Sequence, residues 1–275
     1  MRTAEVVRAP VDGRAAPSLA CRAVEPFLYD EFYAIERTHW WTVGMRGVCH
    51  ALLAAALRGV ARPRLLDAGC GTGVGLEEFG RYGWICGIDV AGAALAYSRR
   101  RDSTLPLIQA SLVCLPFGSG ALDAVLALDV LEHLDDDGTA LREIRRVLRP
   151  GGIALLNVPA FASLWSEKDA ANHHRRRYTR RTLRHAVEEA GLRVERLTYT
   201  NAALFPAIWC VRQIQRRARL GWNSRGEYHP RPWLNRALLG LLRAERHALR
   251  AVNLPFGTSV TCVARRPPAD LRSAS

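Results

Sequence analysis

The sequence predicts an α/β protein built on a doubly wound, mostly parallel sheet. Three observations carry this. From Arg64 onward, short continuous apolar runs alternate with helical stretches, the mark of strands buried on both faces. Glycines and a Pro-Gly pair close these segments at short intervals. A loop with glycine at every second position, Gly69, Gly71, Gly73 and Gly75, directly follows the first run. Repetition of this kind gives right-handed crossovers and a ligand crevice at the carboxyl ends of the strands.

In chain order, two helices are expected within Glu31–Val60, covering one opening of the sheet. "RLLDAG" is the first strand and "GLEEFGRYG" a helix with a glycine stop. "WICGIDV" is the second strand and "AGAALAYSRRR" the helix after it. "PLIQASL" and "ALDAVLALDV" are the third and fourth strands. A helix near Gly138–Leu148 ends at the breaker "RPGG", and "IALLNVP" is the fifth strand. The segment "FASLWSEKDAANHHRRRYTRRTLRHAVEEAGL" follows, helical near Thr179–Ala190 and stopped by Gly191. "LRVERLTYTN" reads as a strand, Leu204–Arg219 and Trp233–Ala251 as helices, and "TSVTCVARR" as the closing strand. This gives one domain over 26–266: a helical cap at 26–60, a core at 61–160, a lid and helical insertion at 161–257, and a final strand at 258–266. Residues 1–25 and 267–275, without apolar periodicity, are expected to be disordered.

At 275 residues and 49% hydrophobic, the chain can bury a sizeable core. Its seven cysteines are odd in number and scattered, with no CxxC pair. They read as small buried hydrophobes in a reducing compartment, and no metal site is expected. With no signal peptide and no apolar run long enough to span a bilayer, a cytoplasmic location is expected. The net charge is +13, and Lys168 is the one lysine. Between His174 and Arg250, eighteen arginines stand against five acidic residues. Such a half suits an acidic small molecule, an anionic lipid or weak nonspecific polyanion binding. "ALFPAIWCVRQIQRRARL" is amphipathic. It either packs on the sheet with its arginines in solvent or makes peripheral contact with a membrane surface.

Three readings of the glycine loop compete. A P-loop needs Lys-Ser/Thr after the glycines, which this loop lacks. The dinucleotide fingerprint G-x-G-x-x-G fails, because Val74 and Leu76 stand at its last position counted from Gly69 and Gly71. The actual pattern, D-A-G-C-G-T-G, resembles the first motif of class I S-adenosylmethionine-dependent methyltransferases. "LPFGSGALDAVLALDVLEHL" and "LREIRRVLRPGG" resemble later motifs of that family in the same order, so the likeness spans Leu65–Pro159. "ERTHWWTVGMR", the "LWS…D…HHRRRY" segment and "LPFGTS" resemble a bacterial subgroup of these enzymes, of the methyltransferase type 11/23 kind.

The resemblance implies a Rossmann-like methyltransferase fold and S-adenosyl-L-methionine as cofactor. It carries the cofactor-binding set over to Asp67, Gly69, Cys70, Gly71, Gly73, Asp89, Val90, Ser111, Leu112 and Asp129, with Trp41 and Arg46 from the amino-terminal side. Asp89 would accept bonds from the ribose hydroxyls, and Ser111 stands where the family usually has an acid near the adenine amine. Methyl transfer is an in-line displacement, so the protein must align a nucleophile and, where needed, take its proton. His133, four residues after Asp129 on one expected helical turn, and His174 are the candidate catalytic groups; His133 alternatively only orients its loop. Trp165, Asp169, His173, Arg175 and Tyr178 are the candidate substrate contacts of a lid. The bland alternative for that segment is a solvated basic turn. The expected activity is methylation, most simply at oxygen, of a secondary metabolite, sugar or lipid-linked intermediate. The alternatives are an RNA or protein methyltransferase, or an inactive cofactor-binding regulatory protein.

Overall fold

The computed structural model describes residues 26–218 and 229–268. Residues 1–25 and 269–275, Cys21, and Arg219 at the end of one expected helix lie outside the described residues. Seven strands form one sheet: β1 Arg64–Ala68, β2 Trp84–Asp89, β3 Leu107–Gln109, β4 Leu122–Leu128, β5 Leu148–Pro159, β6 Arg193–Thr200 and β7 Ser259–Arg265. Their spatial order is β3-β2-β1-β4-β5-β7-β6. The first five pair in parallel, and β7 inserts antiparallel between β5 and β6. The order reverses between β1 and β4, so the crevice outside their carboxyl ends is the topological switch point.

The continuous apolar runs follow from burial on both faces. Leu65, Leu126 and Leu155 point into one core cluster, with Val48, Leu52 and Leu53 of the amino-terminal cap and Phe79. Their neighbours Leu66, Val125 and Leu156 point into the other, with Leu141, Ile144, Leu183 and Val187. Alternate side chains go to opposite faces, and both faces are covered, so no polar alternation is needed.

Nine described helices flank the sheet: α1 Pro26–Ile35, α2 Trp40–Ala56, α3 Val74–Phe79, α4 Gly92–Arg101, α5 Asp137–Val147, α6 Glu167–Ala171, α7 Arg180–Glu189, α8 Phe205–Ala218 and α9 Pro232–Ala248. Asp136 caps α5 by accepting from Thr139 N at 2.9 Å, and Thr179 opens α7 with a capping box to Thr182. Helix α2 packs closely against α9, where Gly44 leaves room for the Leu242 side chain.

Some expectations needed correction. "RPGG" is no gap between helix and strand: the chain enters β5 at Leu148, which pairs with Leu122. The residue before a proline prefers extended backbone, so Pro150 ends the helix by starting the strand. The third strand is shorter than "PLIQASL", because the chain turns at Ser111–Cys114. The short helix α6 was not anticipated; Ser166 and Asp169 build it with a capping box. Cys49, Cys70, Cys86 and Cys262 are buried, but Cys210 is exposed on α8. Helix α8 packs against the 3-10 turn Ala162–Leu164, to which Gln213 donates at 3.1 Å through Ser163 O, and its exposed side carries Trp209, Val211 and Ile214 as well as arginines.

Candidate active site

A cavity of about 480 Å³ opens at the switch point, walled by the loops after β1, β2, β4 and β5 and by the cap. At one end lies the glycine loop. Gly69, Gly71 and Gly73 all have positive φ (85°, 54° and 88°), which L side chains rarely adopt. The first and third also touch neighbours: a Cβ at Gly69 would overlap Val130, and one at Gly73 would lie 2.8 Å from Ser98 Oγ. Around Gly71 the space is open. Asp89, at the end of β2, accepts from Gly71 N at 3.0 Å and from Ala91 N at 2.8 Å, so it couples the loop to the start of α4. Burial pushes its carboxyl up, against the pull of those two bonds. Val90, Ser111 and Leu112 continue this wall.

The cap closes over the loop through a contact the sequence did not announce. Buried Glu36 of the α1–α2 turn accepts from Thr72 Oγ1 of the glycine loop and from Arg101 of α4. His39, Trp40 and Trp41 then line the same cavity.

The other end is built from side chains of three separate segments. Asp129 has φ 57° and leaves β4 in a turn; its carboxylate accepts from Asn157 Nδ2 at 2.8 Å, and Asn157 in turn accepts from Thr261 Oγ1 at 2.8 Å. Burial outweighs the Asn157 bond and raises its pKa to about 6. The 3-10 turn Leu131–His133 follows, so Asp129 and His133 share the cavity but not a helical turn. His133 and His174 meet edge to face with ring centroids 4.7 Å apart. Burial, and then the neighbouring His174, lower the His133 pKa to about 4, which makes it a weak base.

His174 is held from behind. Its Nδ1 lies 2.9 Å from Asp169 Oδ1, which leaves Nε2 as the open ring nitrogen. Arg177 forks onto both oxygens of the same carboxylate, at 2.8 and 3.0 Å, and Ser166 N donates to it at 2.8 Å. Burial works to raise the Asp169 pKa, but the bonds from His174 and Arg177 win and hold it well below the usual carboxylate range.

Several predicted contacts lie elsewhere. Arg46 turns away from the cavity, donating to Glu36 O at 2.7 Å and pairing with Glu78 at 3.1 Å. Asp67 sits behind the glycine loop beside Gly75; burial, then Asp89, raise its pKa to about 7. Gly73 packs on α4 rather than lining the cavity. Cys70 lines it, but with a thiol pushed far up by burial. In the lid, Trp165 and His173 are not among the lining residues. Arg175 pairs with Asp135 at the surface. Tyr178 is a core residue, 3% exposed, that donates to Asp137 at 2.6 Å. Sequence reasoning missed Glu132 and Asn201, which line the cavity; Arg177, one of the arginines of the basic lid segment, lines it too. Glu132 is 1% exposed, and neither carboxylate oxygen has a hydrogen-bond partner among the described residues. Burial, then Asp129, push its pKa well up. No metal ligands were expected, yet donor atoms of Glu132, His133 and His174 lie within 4.8 Å of one another.

Residues 66–156 match the family described as a methyltransferase domain. A probable S-adenosylmethionine-dependent methyltransferase of Mycolicibacterium smegmatis is 31% identical over 134 residues, covering 48% of this chain and 52% of the relative. The malonyl-[acyl-carrier protein] O-methyltransferase of Pectobacterium atrosepticum is 27% identical over 213 residues, covering 72% and 76%. Matches to the first curated relatives span about half of those proteins' length. Among solved structures, the geranyl diphosphate C-methyltransferase of Streptomyces coelicolor A3(2) shares the fold at a TM-score of 0.53, with 19% identity and coverage of 79% and 78%. No helix among the described residues is long and apolar enough to cross a membrane. With its glycine loop and its strand order, the chain carries a methyltransferase domain over residues 66–156 that is similar to those of S-adenosylmethionine-dependent methyltransferases.

Proposed function

We propose that this chain transfers a methyl group from S-adenosylmethionine to a small acidic acceptor, at oxygen. One observation carries the reading: the glycine loop with Asp89 and the cluster of Asp129, His133 and His174 line one continuous cavity of about 480 Å³. Cofactor and acceptor therefore share a space closed on the cofactor side by the cap. The acceptor oxygen sits beside His174 and gives up its proton at that end of the cavity. The O–C bond then forms as the S–C bond of the sulfonium breaks.

Three features support the acceptor class. Lys168 and Arg212 line the cavity, so an anionic acceptor meets two cationic side chains there. A relative at 27% identity is named for O-methylation of a malonyl group on a carrier protein. Helix α8 presents Ile208 and Arg212 to the cavity, while Trp209 and Ile214 are exposed beside Arg216 and Arg217. That pattern suits peripheral contact with a membrane and a lipid-linked acceptor reached from the cytoplasmic side. In this reading 26–266 act as one domain and 161–257 provide the lid, through Leu164, Asp169, His174, Asn201 and Ile208.

Titration calorimetry with S-adenosylhomocysteine tests the cofactor half. Asp89→Ala should weaken binding by about 1–3 kcal/mol, the loss of bonds to a charged group. Release of S-adenosylhomocysteine, assayed over a panel of carboxylates and isoprenoid or sugar phosphates, tests the acceptor half. No cofactor binding would sink the whole reading. Turnover only with RNA or protein would sink its acceptor half.

A further inference from the structure

We infer that Glu132, His133 and His174 form a binding site for one divalent transition-metal ion, which holds the acceptor oxygen. This deepens the reading above and rests on it for the role of the ion, but not for the existence of the site.

The first ground is the donor set. One carboxylate and two imidazoles, with donor atoms all within 4.8 Å of one another, converge on the cavity. Imidazole nitrogen with one carboxylate suits Zn²⁺, Fe²⁺ or Mn²⁺ better than Mg²⁺, which prefers oxygen ligands and water. Closing on an ion at about 2.1 Å brings three tetrahedral donors to roughly 3.4 Å apart, a short inward movement of side chains.

The second ground is independent of the count of ligands. Glu132 is 1% exposed, and both its oxygens lack a hydrogen-bond partner among the described residues. A buried carboxylate with no partner is costly, and native structures answer it with a cation or a donor. His133 Nδ1 is likewise buried without a partner. An ion among the three donors gives the Glu132 carboxylate its partner.

The third ground lies behind the ligands. Asp169 takes Nδ1 of His174 and is itself clamped by Arg177 and by Ser166 N. A carboxylate behind an imidazole fixes its tautomer, orients the ring and strengthens the other nitrogen as a ligand. Asp129 adds a third carboxylate at the same end of the cavity, held by Asn157.

Three protein ligands leave positions open toward the cavity, the arrangement of catalytic rather than structural sites. An acceptor hydroxyl bound there is acidified as water is on zinc. Its proton leaves to solvent water. The oxygen then forms its bond to the methyl carbon as the S–C bond breaks, and S-adenosylmethionine becomes neutral S-adenosylhomocysteine. An anionic acceptor gains a second contact through the ion.

The test is direct metal binding by the full chain, stripped with a chelator. Calorimetry with Zn²⁺ should give one ion per chain with Kd at or below about 10 μM. Co²⁺ should give the visible absorption of a four- or five-coordinate site. Glu132→Gln, His133→Ala and His174→Ala should each weaken Zn²⁺ binding at least tenfold, and Asp169→Asn by roughly 10–100-fold. Zn²⁺ should raise the Tm of the wild type and leave that of Glu132→Gln unchanged. Wild-type Kd weaker than about 100 μM, or equal affinity in the wild type and all three ligand variants, would overturn the site; the second result would mean that surface histidines alone hold the ion. S-adenosylhomocysteine titrated into the same stripped protein reports on the methyltransferase reading separately. Loss of that binding with Zn²⁺ binding retained would defeat the enzyme and keep the site.

Discussion

At the glycine-loop end of the cavity the chain presents backbone, and at the His174 end it presents side chains. The first end is made by one short segment whose glycines take positive φ and whose amide at Gly71 is fixed by Asp89. The second draws on β4, on the 3-10 turn after it and on the segment after β5, with Asn157 and Asp169 steadying the groups in front of them. A backbone site tolerates few residue types but needs little support. A side-chain site tolerates none of its supports being removed. The two ends should therefore fail in different ways when changed.

The largest difference is expected at His174. His174→Ala should lower kcat by roughly 10²–10⁴-fold, the range for loss of a group on which deprotonation of the acceptor depends. Affinity for S-adenosylhomocysteine should stay within about threefold, under ~0.7 kcal/mol, because the histidine belongs to the other end. A parallel loss of cofactor affinity would erase the distinction between the two ends.

Gly69→Val should do the reverse. It puts a branched side chain into Val130 at a φ of 85°. Cofactor affinity should fall by about 100-fold or more, roughly 3 kcal/mol, and the Tm should drop as well. Unchanged calorimetry would show that the loop does not need its conformation to bind.

Asp67 sharpens the comparison through pH. Its folded pKa of about 7 lies above its ordinary 3.8, since burial and Asp89 disfavour the charge. The stability it contributes is thus fully present below about 3.8 and lost as pH rises through about 7. Asp67→Asn should gain on the wild type by roughly 2–3 kcal/mol between pH 5 and pH 8, measured by urea unfolding at each pH. A constant difference across that range would show that the carboxyl does not titrate there.

Arg175→Ala should do least. The exposed pair with Asp135 is worth under ~1 kcal/mol, and the side chain does not line the cavity. Wild-type kcat and KM within about twofold are expected. A large rise in KM would return Arg175 to the acceptor site.

The same contrast explains what the sequence could reveal. The strands were readable because β1, β2, β4 and β5 are buried on both faces and so stay apolar throughout. The glycine loop was readable because its chemistry is its spacing. The lid was not. In a loop without period, residue type is visible but direction is not. Among neighbours, His174 and Arg177 face the cavity, whereas His173, Arg175 and Tyr178 do not line it. Glu132 looked like a spacer between Asp129 and His133, because a 3-10 turn does not keep the spacing of an α-helix. Asn201 stands at a strand end with φ 57°, a conformation asparagine tolerates, and only its burial beside Thr258 reveals a place in the site. A partial signal for Glu132 existed: a carboxylate directly beside a candidate histidine at the end of a central strand.

Glu36 has a further consequence. It fastens the cap at once to Thr72 of the glycine loop and to Arg101 of α4, all out of water. One carboxylate thus ties three chain segments together, so its removal leaves the Thr72 hydroxyl and the Arg101 guanidinium without that partner at the same time. The shape of the glycine loop then rests in part on a residue at the edge of the fold, 36 positions earlier in the chain.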